Sequence, residues 1–173
     1  MKKTIFTYGA ISGLIIATFM VISTAIICGN PDSDYGTESM IIGFAGIALA
    51  FSLIFFGTKN YRDKLNNGVI TFGQAFKVGI LIALISSTIY VLVWLVDYYC
   101  FFPDFIEQYS AKMLKAAKTT EEVQKINEEL SFTKEAYKTP IGIILLTYAE
   151  IFPWGLLFTL ISAFVFKRKA KVS

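Results

Sequence analysis

The sequence contains no histidine, only two cysteines, Cys28 and Cys100, and four prolines, and charged residues make up just 17% of it. Without an imidazole, nucleophilic triads built on a histidine base are excluded, and two thiols alone cannot assemble a His/Cys zinc site within one chain. No phosphate-cradling glycine loop is present, because Gly68 and Gly73 lack the spacing and neighbours such a loop requires. The chain is therefore expected to be non-enzymatic and to carry no cofactor and no metal.

What is abundant is apolar surface: 55% of the 173 residues are hydrophobic and the mean hydropathy is +0.59. A bilayer core of about 30 Å takes about 20 helical residues per crossing. Four stretches reach that length, near 8–28, 39–57, 71–99 and 140–166. The expected fold is all-α, a polytopic membrane protein in which residues 1–173 form a single four-helix membrane domain. A cleaved signal peptide is the rival reading of the first stretch, since Lys2 and Lys3 precede it and Ser23-x-Ala25 forms a tolerable cleavage pattern. The length of the run and the three spans after it favour a retained helix. A lipoprotein site at Cys28 is weaker, because Ile27 is bulky where a small residue is needed.

The connections carry their own signals. Asn30, Pro31, Asp32, Ser33, Asp34, Tyr35 and Gly36 read as a turn-rich acidic loop. Lys59, Arg62, Asp63 and Lys64 read as a basic loop closed by a turn at Asn66, Asn67 and Gly68, and Thr71 with Gln74 as a capping box opening the third span. Residues 103–139 are polar and helix-forming. Their apolar positions (Phe105, Ile106, Tyr109 and Met113, then Val123, Ile126, Leu130 and Tyr137) recur at helical spacing, and Thr119 with Glu122 forms a second capping box. This predicts a helical hairpin, 104–117 and 120–137, whose apolar faces pack on each other or on the membrane surface.

Charge then sets the orientation. Of the 16 Lys and Arg, ten (Lys2, Lys3, Lys59, Arg62, Lys64, Lys77, Lys167, Arg168, Lys169 and Lys171) fall on one side of the spans and the remaining six in the hairpin, beside most of the acidic residues. The positive-inside rule places both termini in the cytoplasm and the hairpin outside. The expected location is the bacterial cytoplasmic (inner) membrane, crossed several times. Membrane lipids are the first expected partners, and the mild net charge of +3 implies no nucleic acid. Cys28 and Cys100 fall near helix ends on one face, and whether they pair stays open.

Within the spans, small residues recur every fourth position: Gly9, Gly13 and Ala17; Gly79, Ala83 and Ser87; Gly155, Thr159 and Ala163; and, more briefly, Gly46 and Ala50. Such ridges are packing seams before they are anything else. Two carboxylates, Asp97 and Glu150, interrupt the apolar runs, and ionisable groups at membrane depth are costly enough to mark a functional candidate. Asp97 falls at the outer interface. Glu150, about 25 Å along its helix from the basic end, is expected to be the more deeply buried of the two. Pro153 follows Glu150 and predicts a kink. One reading makes Glu150 the lining of a small polar cavity beside that kink, with Tyr148, Tyr90 and Asp97 as neighbours and protons exchanged with the outside. The simpler reading is an interfacial or interhelical hydrogen bond, with Trp94 and Trp154 packing in the bundle. The second candidate region is the basic and aromatic stretch holding Arg62, Lys64 and Lys77. It suits lipid headgroups, with partner binding as the alternative.

Several of these residues also carry a resemblance. Tyr8-Gly9, Ile11-Ser12-Gly13, Phe55-Phe56-Gly57, Tyr61-Arg62-Asp63, the run Thr71-Phe72-Gly73-Gln74-Ala75-Phe76-Lys77-Val78-Gly79, Trp94, Pro103-Asp104-Phe105, Glu150-Ile151-Phe152-Pro153, Gly155 and Ile161-Ser162-Ala163 resemble a bacterial family of small four-span membrane proteins catalogued as domain of unknown function 4199. The resemblance covers nearly the whole length and supports the topology and the membrane setting. It implies no activity, substrate or catalytic residue. The expectation is an integral membrane protein of structural or partner-binding type, working as a homo-oligomer or with other membrane proteins. The alternative is a small oligomeric transporter or channel subunit using Glu150 and Asp97.

Overall fold

Long apolar runs and a polar, helix-forming segment between the last two of them give six helices and one π-helical turn in the computed structural model, which describes residues 1–29 and 37–168. In chain order they are α1 (Lys2–Gly29), α2 (Thr37–Asn60), the π-turn Tyr61–Leu65, α3 (Phe72–Cys100), α4 (Phe105–Ala116), α5 (Thr120–Ala136) and α6 (Pro140–Phe166). Helices α1, α2, α3 and α6 each contain a stretch long and apolar enough to cross a membrane. The acidic loop at 30–36 and Lys169 and Lys171 lie outside the described residues.

Local chemistry fixes most boundaries. Thr71 caps α3 by accepting from the Gln74 N–H at 3.2 Å, and the Gln74 side chain accepts from the Thr71 N–H at 3.0 Å, which completes the expected box. Thr139 caps α6 through the Gly142 N–H at 3.0 Å, and Pro140 occupies the first turn, where a missing N–H leaves no bond unmade. At α5 the box is displaced by one residue. Thr119 accepts from the Glu122 N–H at 3.2 Å, but the Glu122 carboxylate accepts from the Lys118 N–H at 2.7 Å.

The second helix departs from expectation. It does not end at Gly57 but continues to Asn60 and through the π-turn, so Lys59, Arg62, Asp63 and Lys64 are helical rather than on a loop. The fully buried Thr58 and the packing of Tyr61 against the core hold this extra length in place. The chain reverses only at the expected turn, where Asn67 (φ 52°) and Gly68 (φ 77°) adopt left-handed backbone. The first helix likewise begins at Lys2, well before residue 8, because nothing from Lys2 to Thr7 breaks a helix.

The small-residue ridges are the seams of the bundle. A Cβ on Gly9 would sit 2.8 Å from Ile85 Cβ and one on Gly13 the same distance from Ile89 Cβ, so α1 and α3 lie parallel in close contact. Along the antiparallel α3–α6 seam, a Cβ on Gly155 would come within 2.8 Å of Ala83 Cβ, and one on Gly79 within 2.9 Å of Thr159 Cγ2. Backbones this close let hydroxyls reach across: Ser12 donates to the Ala50 carbonyl at 2.7 Å and Ser86 to the Gly9 carbonyl at 3.1 Å. Phe51, Ile54, Val78, Ile82 and Ala83 form the core between the helices.

At the end that carries both described termini, Ile70 and Arg168 form an antiparallel bridge, with N–H···O distances of 3.1 and 2.8 Å. Phe72 packs on Phe164 with ring centroids 4.8 Å apart, and Ala75 is buried with Ala163. The specific Phe-Gly-Gln-Ala-Phe stretch thus joins the start of α3 to the end of α6. Both cysteines are free thiols. Gly155→Leu should therefore lower the detergent melting temperature through overpacking, a loss of about 1–3 kcal/mol. Gly43→Leu, at a position with nothing among the described residues within 4 Å of an added Cβ, should leave melting unchanged.

Candidate functional site

The four spanning helices do not fill the bundle equally along its length. Toward the termini, Phe51, Phe55, Phe158 and Phe166 interlock edge to face or tilted. Toward the hairpin, α2 carries Gly43 and Gly46, and the space left there is a cavity of about 480 Å³. Its floor is apolar, from Ile16, Phe19 and Met20 on α1 and Ile47 on α2, and nearer the hairpin α1 adds Ser23 and Thr24. Its roof is the hairpin, through Phe105, Ile106 and Tyr109 on α4 and Thr133 and Tyr137 on α5 and at its end. The amphipathic faces of the hairpin pack on each other and meet the bundle at Trp94 and Tyr98, through Phe105 and Tyr137, with Ile106, Ser110 and Leu130 buried.

One wall is an ordered arc of aromatic rings. The Trp94 indole N–H donates to the Tyr137 hydroxyl at 3.0 Å. Phe105 meets Trp94 edge-on at 4.9 Å and stacks on Tyr109 at 5.9 Å, and Tyr98 meets Tyr137 edge-on at 5.2 Å. Rings fixed this way present a pre-set surface, since each already holds a favourable geometry with its neighbour.

Beside the arc, α6 contributes Thr147 and Glu150, and α3 adds Tyr90. Glu150 is the cavity's carboxylate among the described residues, and it makes no ion pair there. Its side chain is exposed, opening on the cavity, whereas Asp97 is 5% exposed. Exposure within the protein and depth along the helix are different quantities, and the expectation for Glu150 concerns the second. Asp97 does not line the cavity. It sits one turn beyond Trp94 toward the hairpin, with its Oδ2 buried and without a hydrogen-bond partner among the described residues.

The other expected neighbours also part company. Tyr90 shares the cavity with Glu150, but the Tyr148 hydroxyl pairs with Thr88 at 2.6 Å on an exposed face. Pro153 is exposed and does not line the cavity, and α6 runs through it as one helix. Trp154 meets Phe44 edge-on at 5.5 Å. Sequence reading placed Tyr109 and Tyr137 on amphipathic faces but missed that both line the site; their hydroxyls, on faces otherwise of Phe, Ile, Val, Leu and Met, were the available signal.

The two phenols register their surroundings. Burial, and after it the negative charge of Glu150, pushes the Tyr109 phenol up. Tyr137 rises to about 12, chiefly through burial, with the Trp94 hydrogen bond opposing and Glu150 adding to the rise. A raised phenol favours the fold fully below its unfolded value of 10.0, and that contribution is lost as pH climbs toward about 12. Spectrophotometric titration in detergent should show a phenolate step near pH 12 that Tyr137→Phe removes.

At the opposite end, Arg62 is half-buried and already engaged. Its guanidinium holds Asp63 at 2.6 and 3.1 Å and lies 5.2 Å over the Phe166 ring. Lys64 and Lys77 are exposed, as are Lys2, Lys3, Lys59, Lys167 and Arg168. No group of three or more metal-ligating side chains occurs among the described residues.

Large apolar side chains such as Phe6, Leu14, Ile22, Leu49, Phe56, Leu92, Leu145 and Phe164 face outward all round the bundle. A water-facing surface does not carry such a girdle. With four apolar helices inside it, the molecule is an integral membrane protein with a roofed cavity in one half. The chain belongs to the family described as Protein of unknown function (DUF4199), whose model matches residues 7–168. No curated protein and no solved structure matches it.

Proposed function

We propose that this chain is a non-enzymatic binding component of the bacterial cytoplasmic membrane, with both termini inside, the hairpin outside, and the cavity beneath the hairpin as its working part. The cavity carries this reading. At about 480 Å³ it falls within the roughly 300–1,000 Å³ of small-ligand sites, and it lies in a bundle whose other half is close-packed. Among the described residues its walls supply rings, hydroxyls and one carboxylate, a set suited to holding a ligand.

The orientation draws support from charge. Exposed Lys2, Lys3, Lys59, Lys64, Lys77, Lys167 and Arg168 gather at the end that carries both described termini, which suits the cytoplasmic face and its anionic headgroups. Cys100 is exposed at the hairpin end. In intact cells, the Cys28→Ser variant should be labelled at Cys100 by a membrane-impermeant maleimide. Labelling only after lysis would reverse the orientation.

A transporter or channel subunit is the second reading, favoured by the openness of Glu150 to the cavity. The separation of Asp97 from that cavity weighs against a relay built on both carboxylates. Proton leak from liposomes should be equal for the parent chain, Glu150→Gln and empty vesicles. A leak that Glu150→Gln abolishes would replace the binding reading with transport.

A further inference from the structure

The cavity joins three features that rarely serve one apolar ligand. Its carboxylate, Glu150, has no cationic partner among the described residues. The aromatic wall of Trp94, Phe105, Tyr109 and Tyr137 is already braced by its own contacts. Its floor of Ile16, Phe19, Met20 and Ile47 offers nothing to a charge. A carboxylate in low dielectric attracts a cation far more strongly than it would in water, and ring faces add attraction for a weakly hydrated cation. An anion would be repelled by Glu150, and among the described residues a small hydrated metal ion would find one carboxylate where hard cations take several such oxygens.

Resting on the binding reading above, we propose that the cavity takes an amphiphilic organic cation: its ammonium-type charge sits between Glu150 and the aromatic wall, and its apolar body lies along α1 and α2. Charge complementarity selects the head, and the apolar floor selects the body. Glu150 gives the site its sign, while Tyr109 and Tyr137, brought by the hairpin, make recognition depend on the roof being seated.

The test uses two ions of nearly equal size and shape and opposite charge, tetraphenylphosphonium and tetraphenylborate, with triphenylphosphine oxide as a neutral comparison. Equilibrium dialysis against the full-length protein in a non-ionic detergent should show saturable, one-to-one binding of tetraphenylphosphonium alone. Glu150→Gln should weaken it by at least about ten-fold while leaving the melting temperature unchanged. Tyr109→Phe should retain most of the affinity and Tyr109→Leu lose several-fold, because the ring matters more than the hydroxyl. Competition by phosphatidylethanolamine in mixed micelles would assign the ammonium to a lipid headgroup, and failure to compete would assign it to a free amphiphile.

Saturable binding of the neutral compound with an affinity equal to that of the phosphonium, or phosphonium binding that Glu150→Gln leaves unaltered, overturns the cation assignment and leaves the binding component in place. Preference for tetraphenylborate overturns it as well. Absence of saturable binding by all three probes would remove both the assignment and the binding reading beneath it.

Discussion

Everything in this bundle depends on the places where side chains are missing. Lipid is as apolar as leucine, so helices in a membrane are held together by close packing and a few polar contacts rather than by expulsion of water. Gly9, Gly13, Gly79 and Gly155 give that packing its contact distance: each stands where an added Cβ would fall within 3 Å of a neighbouring helix. The interhelical hydrogen bonds of Ser12 and Ser86 follow from the same closeness, since a hydroxyl reaches a foreign carbonyl only where backbones nearly touch.

The same economy of side chains has the opposite result at the other end. Among the described residues nothing lies within 4 Å of a Cβ added at Gly43, so glycine there leaves room, whereas one at Gly46 would come 3.0 Å from Phe19 Cγ and so keeps α1 and α2 close at the cavity's edge. The hairpin covers the opening. Its amphipathic faces bury Ile106 and Leu130 while lending Tyr109, Thr133 and Tyr137 to the space below. One short segment thus completes the fold and builds half of the site, and the Trp94–Tyr137 hydrogen bond ties these roles together.

The rods and the hairpin were legible in the sequence because apolar run length and capping residues are local signals. Span four was placed at 140–166, and the helix occupies Pro140–Phe166. The small-residue ridges were legible for a related reason, since a period of four has few other uses in a membrane helix. The end of α2 was misread because charges at Lys59, Arg62, Asp63 and Lys64 look like a loop in isolation, while the burial of Thr58 and Tyr61 that keeps the chain helical depends on distant helices. The site was half legible. Glu150 and Tyr90 share a cavity, but helix phase sends Tyr148 toward Thr88, and Asp97 proves enclosed where Glu150 is open. Which ring meets which carboxylate is a matter of rotation about each rod and of how a remote hairpin folds back, and neither is written locally.

The bridge between Ile70 and Arg168 has a mechanical corollary. It pins the start of α3 to the finish of α6, beside the stacked Phe72 and Phe164 rings, so these two rods share an anchored base. At their other ends the same two rods are joined by the hairpin, whose Tyr137 takes the Trp94 hydrogen bond, so the pair is tied above and below the hollow by different means, backbone pairing at one end and a folded connection at the other.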